Sequence, residues 1–484
     1  MDNKNNSASV DSDLAPKSYF INTYGCQMNV YDSEIIGALL EERGLYMAER
    51  EGDADVVVFN TCCIRDNADQ KVYGRLGDFK GLRDSNPNFV LIVSGCLAQK
   101  DKEALRERFP QVDIVLGTHQ IKNVVACLDG VLEKRRRLAQ LKKAAEAVQG
   151  PKEQVRAQRD LRHEKRELNC GLVRVGSKGN HLDLEARPTN SFMAMVPISV
   201  GCNQWCTYCI VPHVRGPLHS RPLFGVLAEV GRLAGQGCKD ITLLGQNVND
   251  YGRDLRLEEG FAELLDALGP ERVGRFRLRF TSPHPAYFTQ RAIEAMAQNP
   301  NVCPHVHLPL QSGDDGILDV MHRRYTSREF LGLVKRMRQA IPGLCITTDI
   351  IVGFAGETEE QFRHTLEVVK EVRFDSAFMF AYSERPGTPG ARFPTQVPEE
   401  ERMDRLHRLI EVQNEISEEL NQSRIGQETE LLIEGPSKKN SRRYTGRSPE
   451  HWLVHVDSDS DITGKLVKVR LEEPYMWGFV GKLT

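Results

Sequence analysis

No stretch of the chain approaches the ~18 consecutive apolar residues of a membrane helix, so the sequence excludes a helical membrane protein. An excess of one charge is missing as well: 64 basic residues against 67 acidic ones leave a formal charge of −3. That excludes a protein that holds nucleic acid by bulk charge alone; such contact needs a local basic patch. Residues Met1 to Pro16 are polar and lack an apolar core, so neither a signal peptide nor an anchor is expected, and residues 1–17 are read as a disordered tail. The expected location is cytoplasmic, where disulfides rarely persist. Composition is ordinary, 40% hydrophobic and 27% charged, which excludes a disordered chain or a collagen-like fibre. Twelve cysteines in such a protein therefore need another explanation.

The 484 residues amount to about three domains at roughly 150 residues each. From 18 to 132, short apolar runs at Ser18–Gly25, Asp55–Asn60, Phe89–Val93 and Asp113–Gly117 alternate with helical stretches. This predicts a doubly wound parallel sheet in an α/β domain. Residues 133–187 differ: Glu133 to Glu167 hold 12 Lys/Arg against 6 Asp/Glu and no strand pattern, which reads as a basic helical linker or insertion. From 188 to 424, six strand-like runs (Met195–Val200, Asp240–Leu244, Phe276–Phe280, His305–Leu310, Cys345–Val352, Ser376–Tyr382) separated by amphipathic helices predict a (β/α)6 partial barrel. Residues 425–484 alternate apolar with polar and predict a small all-β barrel.

Two groups of cysteines carry chemistry. Cys202, Cys206 and Cys209 have the spacing CxxxCxxC directly after the first barrel strand. Three thiolates on one tight loop suit three irons of a four-iron cluster and leave the fourth iron open. The competing reading is a zinc site completed by His213. The second group is found by topology. Cys26, Cys62 and Cys96 each follow a strand of the N-terminal sheet, and ligand sites of doubly wound sheets lie beyond the strand C-termini. Cys63 adjoins Cys62, and since successive residues leaving a strand point in different directions, one of the two should reach the site. Cys127, Cys170, Cys238, Cys303 and Cys345 have no ligand-like spacing and are read as structural.

The combined motifs resemble the methylthiotransferase branch of the radical S-adenosylmethionine (SAM) enzymes, and within it those that act on isopentenyladenosine in tRNA. The residues that carry the resemblance are Asn22-Thr-Tyr-Gly-Cys-Gln-Met-Asn29, Asn60-Thr-Cys-Cys-Ile-Arg65, Ser94-Gly-Cys-Leu-Ala-Gln99, Gly201 to Cys209, Arg215-Gly216, Ser220-Arg-Pro222, Leu244-Gly-Gln-Asn-Val-Asn249, Arg279 to Pro285, His307 to Gly313, Thr348 to Gly353 and Phe378 to Ser383. Three departures stand out: Cys63, where the family often has Ser or Ala; Ala355, where it usually has Pro; and a longer, more basic linker.

The resemblance implies two [4Fe–4S] clusters, a radical-generating one on Cys202, Cys206 and Cys209 and an auxiliary one on Cys26, Cys62 and Cys96, the two facing each other across the barrel mouth. It implies that two SAM molecules are used, one methylating sulfur on the auxiliary cluster and one supplying the radical. Cofactor contacts are expected from Tyr208, Gln246 and Asn247. Arg279, Ser282, His307, Gln311 and Arg385 are candidates for cofactor or RNA contact, whereas His284 and His305 are read as structural. The implied partners are tRNA carrying isopentenyladenosine and a small electron-donor protein of flavodoxin or ferredoxin type, with the chain a monomer. The last domain is implied to be a TRAM RNA-binding module. Its loop with Lys438, Lys439, Arg442, Arg443, Tyr444 and Arg447 offers phosphate contacts plus an aromatic for stacking. Methylthiolation of threonylcarbamoyladenosine in tRNA or of a ribosomal-protein aspartate is the alternative.

Overall fold

The computed structural model describes residues 16–63, 66–81, 86, 88–147, 150–169, 172–176, 182–184, 186–188, 190–437 and 440–484. The expected disordered tail therefore lies outside the described residues apart from Pro16 and Lys17, as does Cys170. The chain forms two compact units, residues 1–189 with His213–Gly216, and residues 190–212 with Pro217–Thr484. Among the described residues no helix is long and apolar enough to cross a membrane.

In the first unit, β1 (Ser18–Tyr24), β2 (Tyr46–Met47), β3 (Val56–Thr61), β4 (Val90–Gly95), β5 (Ile114–Gly117) and β6 (Leu172–Arg174) form one all-parallel sheet in the order β2-β1-β3-β4-β5-β6. Every residue of β3 and β4 is buried, as expected of parallel strands covered by helices on both faces. Strand order reverses between β1 and β3, so the switch point of the sheet lies beyond their C-termini. The two strands that periodicity does not signal are the edges, of two and three residues. β6 falls inside the stretch expected to be linker. A helix over Val124–Ala147 runs through the boundary expected at 132, followed by a second over Pro151–Asn169.

In the second unit, β7 (Met193–Pro197), β8 (Ser199–Val200), β9 (His219–Ser220), β10 (Asp240–Leu244), β11 (Arg277–Phe280), β12 (His305–His307), β13 (Cys345–Val352) and β14 (Ser376–Ala381) include the six expected barrel strands. They pair in parallel as β11-β10-β7 and β12-β13-β14, with a bridge between Leu278 and Val302 joining the two sheets. One apolar core runs through both, from Val196 and Ile241 to Ile346 and Val369. A helix over Glu399–Gln422 leads to β15 (Glu428–Ser437), β16 (Asn440–Arg447), β17 (Leu453–Asp457), β18 (Leu466–Tyr475) and β19 (Gly478–Leu483), which close into a barrel.

Buried polar groups fasten this small barrel to the larger one. Arg277 donates to the carbonyls of Arg447 and Glu430, both at 2.7 Å. Arg279 pairs with Asp240 at 2.9 Å and donates to the carbonyls of Ser448 and Pro449. Trp452 donates through Nε1 to Cys345 Sγ at 3.3 Å. Arg279, expected as a candidate for cofactor or RNA contact, is thus a fastening residue: it is 8% exposed, with its guanidinium turned toward Asp240 at the start of β10.

Candidate metal centres

Cys26, Cys62 and Cys96 come together in the first unit. A glycine follows β1 and another ends β4, each directly before a cysteine, Gly25-Cys26 and Gly95-Cys96. A Cβ at Gly95, where φ is +90°, would sit 2.4 Å from the carbonyl of Thr61, and one at Gly25 would sit 2.6 Å from Cys62 Cβ. Only glycine lets the strand ends approach this closely. Cys26 then caps the helix Gln27–Glu42, and Cys96 opens the helix Cys96–Asp101. Helix N-termini favour thiolates.

Cys62 stands in hydrogen-bond reach of both Cys26 and Cys96, and Cys63 reaches Cys96. The hydrogen bond with Cys62 outweighs burial and lowers Cys26 to about 6. Hydrogen bonds with Cys62 and Cys63 likewise lower Cys96, and those with Cys26 and Cys96 raise Cys62. Cys62 and Cys96 are buried and Cys26 is half-buried. Behind them lies a buried amide network: Asn29 Nδ2 donates to Asn60 Oδ1 at 3.2 Å, and Asn60 Nδ2 to Ser33 Oγ at 2.9 Å.

The loop Cys202–Cys209 follows β8 in the second unit. Gln246 fixes its start by accepting the Gly201 N–H. Arg323 places NH1 3.6 Å from Cys206 Sγ and 3.4 Å from Tyr208 Oη, and its other end holds the carbonyl of Pro309. Tyr208 packs edge-on against Phe354. Burial raises Cys202 to about 11, and burial with the neighbouring Cys206 raises Cys209 to about 12. These thiols stay protonated until a positively charged group draws the protons off, as metal loading does.

Around the strand C-termini of this barrel sit buried polar atoms with no hydrogen-bond partner among the described residues: both amide atoms of Asn247, Ser199 Oγ, His284 Nε2 and Gln311 Oε1. Left unpaired, such atoms cost ~1–3 kcal/mol each, and native proteins keep few. Ser282 and Gln311 also hold left-handed backbone, φ +57° and +67°, a strain that gathers at ligand sites. Together these atoms form a polar ring at the site that parallel barrels reserve for ligands.

Residues 18–117 match the Uncharacterized protein family UPF0004, and residues 196–369 match the Radical SAM superfamily. Proteins named tRNA-2-methylthio-N(6)-dimethylallyladenosine synthase are similar along nearly the whole chain. The one from Carboxydothermus hydrogenoformans is 42% identical over 97% of this chain and 100% of its own. That from Thermobifida fusca is 45% identical over 94% and 87%, and that from Clostridium botulinum 41% over 96% and 96%. This chain belongs to the tRNA-2-methylthio-N(6)-dimethylallyladenosine synthase family. Among solved structures, the radical SAM methyltransferase TsrM from Kitasatospora setae, with tryptophan and a SAM analogue bound, shares the fold at a TM-score of 0.51 and 15% identity, covering 78% of this chain and 75% of that one.

Membership of the radical SAM superfamily means a [4Fe–4S] cluster and SAM, and the second unit fits both. Three cysteines on one loop are the soft donor set an iron–sulfur cluster takes. The unpaired Asn247 amide and Gln311 carbonyl match a ligand that offers donors and acceptors together, as the amino acid end and adenine of SAM do. His213, the fourth ligand of the zinc reading, belongs to the first unit, whereas the loop Cys202–Cys209 belongs to the second. The loop around Ala355 is held by Gly353 N–H, which donates to Glu357, and Gly356 N–H, which donates to the carbonyl of Thr395.

The residues expected in the RNA patch differ in exposure and pairing. Lys438 and Lys439 lie outside the described residues. Arg442 is exposed, Arg443 pairs with Asp457 at 3.0 Å and Arg447 with Glu434 at 2.9 Å. Tyr444, expected as a stacking surface, is 8% exposed and belongs to the barrel core with Val454 and Phe479. The exposed aromatic of this barrel is Trp477, 63% exposed between β18 and β19. Residues read only as parts of motifs (Asn29, Asn60, Arg215) or missed (Asp32, Ser199, Arg323) complete the sites; apart from Ser199, whose Oγ has no hydrogen-bond partner among the described residues, each has a partner distant in sequence, so spacing could not flag them.

Proposed function

We propose that this chain replaces the hydrogen on carbon 2 of N6-isopentenyladenosine, next to the anticodon of tRNA, by a methylthio group, giving 2-methylthio-N6-isopentenyladenosine. Cys202, Cys206 and Cys209 hold the radical-generating cluster, and Cys26, Cys62 and Cys96 hold an auxiliary cluster that carries sulfur. Two SAM molecules are consumed, one giving its methyl group to that sulfur. When bound, the other SAM and its cluster supply a primary carbon radical, which can activate an aromatic C–H bond that acid–base groups cannot. The protein's own residues bind and exclude water. Asn247 and Gln311 orient the cofactor, Gln246 sets the start of the cysteine loop, and Arg323 steadies Cys206 and Tyr208. The small C-terminal barrel acts as a TRAM-type RNA module, with Arg442 on phosphate and Trp477 as a stacking surface. A flavodoxin- or ferredoxin-type protein supplies electrons, and the enzyme works in the cytoplasm as a monomer.

The observation that carries this reading is the end-to-end similarity to relatives that bear the activity in their names. Nucleoside mass spectrometry of tRNA from cells with and without the gene product tests it. The methylthio-isopentenyladenosine signal should vanish in its absence while isopentenyladenosine accumulates. An unchanged signal, or a loss confined to methylthio-threonylcarbamoyladenosine, would overturn it.

A further inference from the structure

Arg215 is a cation shut inside the first unit. Its side chain is 2% exposed, and NH2 lies 2.8 Å from Oδ2 of a fully buried Asp32. A buried guanidinium is costly unless its N–H groups are used, yet NH1 has no hydrogen-bond partner among the described residues and no contact with solvent. The placement is held on both sides. Thr118 Oγ1 donates to the carbonyl of Val214 at 2.6 Å. Asp32 stands on the helix Gln27–Glu42, whose cap is Cys26. The guanidinium charge acts on both Cys26 and Cys96. An ion pair that only stabilised the fold would be complete with Asp32; a spare buried N–H on a guanidinium whose charge reaches Cys26 and Cys96 calls for a further anion.

We propose that Arg215 NH1 donates a hydrogen bond to a small sulfur anion, hydrosulfide or methanethiolate, held beside Cys26, Cys62 and Cys96, with Asp32 fixing the guanidinium for that purpose. This rests on reading those three cysteines as the auxiliary-cluster site. Three thiolates and a fourth sulfur anion crowd negative charge into one site, and one arginine offsets part of it. The planar fork suits the task, one nitrogen on Asp32 and the other on the anion. Arg215 makes and breaks no covalent bond; it is a positioning residue.

The test uses the full chain with Cys202→Ala, Cys206→Ala and Cys209→Ala, reconstituted anaerobically so that only the auxiliary centre can form. Sodium hydrosulfide and methanethiol are titrated in while the electron paramagnetic resonance spectrum and reduction potential are followed. In this background Arg215→Met, and the charge-neutral pair Asp32→Asn with Arg215→Met, should still load iron. Both should bind either sulfur anion about tenfold or more weakly and show a more negative potential. Arg215→Lys should restore part of both effects. Unchanged affinity and potential in variants that load iron would overturn the proposal. So would failure of both Met variants to load iron, which assigns Arg215 to folding. Failure of the background chain with Arg215 intact to form a centre strikes instead at the reading of Cys26, Cys62 and Cys96.

Discussion

His305 lies against His451 with ring centroids 4.7 Å apart and planes inclined by 23°, one ring on the large barrel and the other on the loop before β17. Burial, with the nearby charges of Arg279 and Arg447 and the adjacent His307, holds both rings well below the usual histidine range. Two neutral imidazoles can stack where two imidazoliums would repel.

This pair makes the joint between the barrels sensitive to acid. Both folded pKa values are depressed, so the unfolded chain binds protons that the folded chain does not. The stability they contribute is present above about pH 6.5 and falls as pH drops below it, by up to about 1.4 kcal/mol per pH unit for each ring. Urea unfolding at about pH 7.5 and pH 5.5 checks this, with His451→Asn as the control that removes one titrating ring. The variant should lose less stability between the two pH values than the parent; equal losses would show that the pair does not titrate as argued.

Arg279 gives a second prediction. Since it joins Asp240 to the carbonyls of Ser448 and Pro449, Arg279→Gln should destabilise the protein by about 3–5 kcal/mol, the usual cost of breaking a buried ion pair. SAM affinity of whatever protein remains folded should be within about twofold of the parent, well under 1 kcal/mol. A variant of normal stability with weakened SAM binding would return Arg279 to the cofactor site. Calorimetric unfolding and a SAM titration on the same preparation separate the two.

Arg279 also shows where reading the sequence stops. Its neighbourhood in a strand was legible, because Phe276–Phe280 alternates apolar residues with arginine, but the direction its long side chain takes is decided by the C-terminal barrel, 170 residues further on. Tyr444 failed for a related reason. Alternation along β16 shows that one face is buried, and two apolar-compatible readings of a Tyr among arginines differ only in which face that is. The metal sites were more legible. The loop from Cys202 to Cys209 is local, so spacing alone reveals it, and Cys26, Cys62 and Cys96 converge because a parallel sheet brings its strand ends to one edge. The pairing of Asp32 with Arg215, 183 residues apart, leaves no local trace.

Between the adjacent cysteines the geometry discriminates. Cys62 stands between Cys26 and Cys96, whereas Cys63 reaches Cys96. Cys62→Ala should therefore leave 5′-deoxyadenosine formation intact and abolish methylthio transfer, together with about half of the bound iron. Cys63→Ala should keep the iron and most of the transfer. Iron and sulfide analysis with chromatography of the nucleoside products measures each. Equal loss in the two variants would mean that either thiol can serve.

RNA affinity should follow exposure rather than composition. Arg442 is exposed and Trp477 is the open aromatic of the small barrel, whereas Tyr444 is locked in its core. Arg442→Ala should weaken tRNA binding uniformly and reduce the slope of log K against log salt by about one, the signature of one lost phosphate contact. Trp477→Ala should lower affinity by about 1–3 kcal/mol with the slope unchanged, since stacking releases no counterions. Tyr444→Ala should instead lower the stability of the barrel by about 3–5 kcal/mol, as truncation of a buried aromatic does, with tRNA affinity of the folded fraction preserved. Filter binding across a salt series distinguishes these patterns. Should Trp477→Ala leave affinity untouched, the nucleotide bases must stack elsewhere, and the barrel would hold tRNA through its backbone alone.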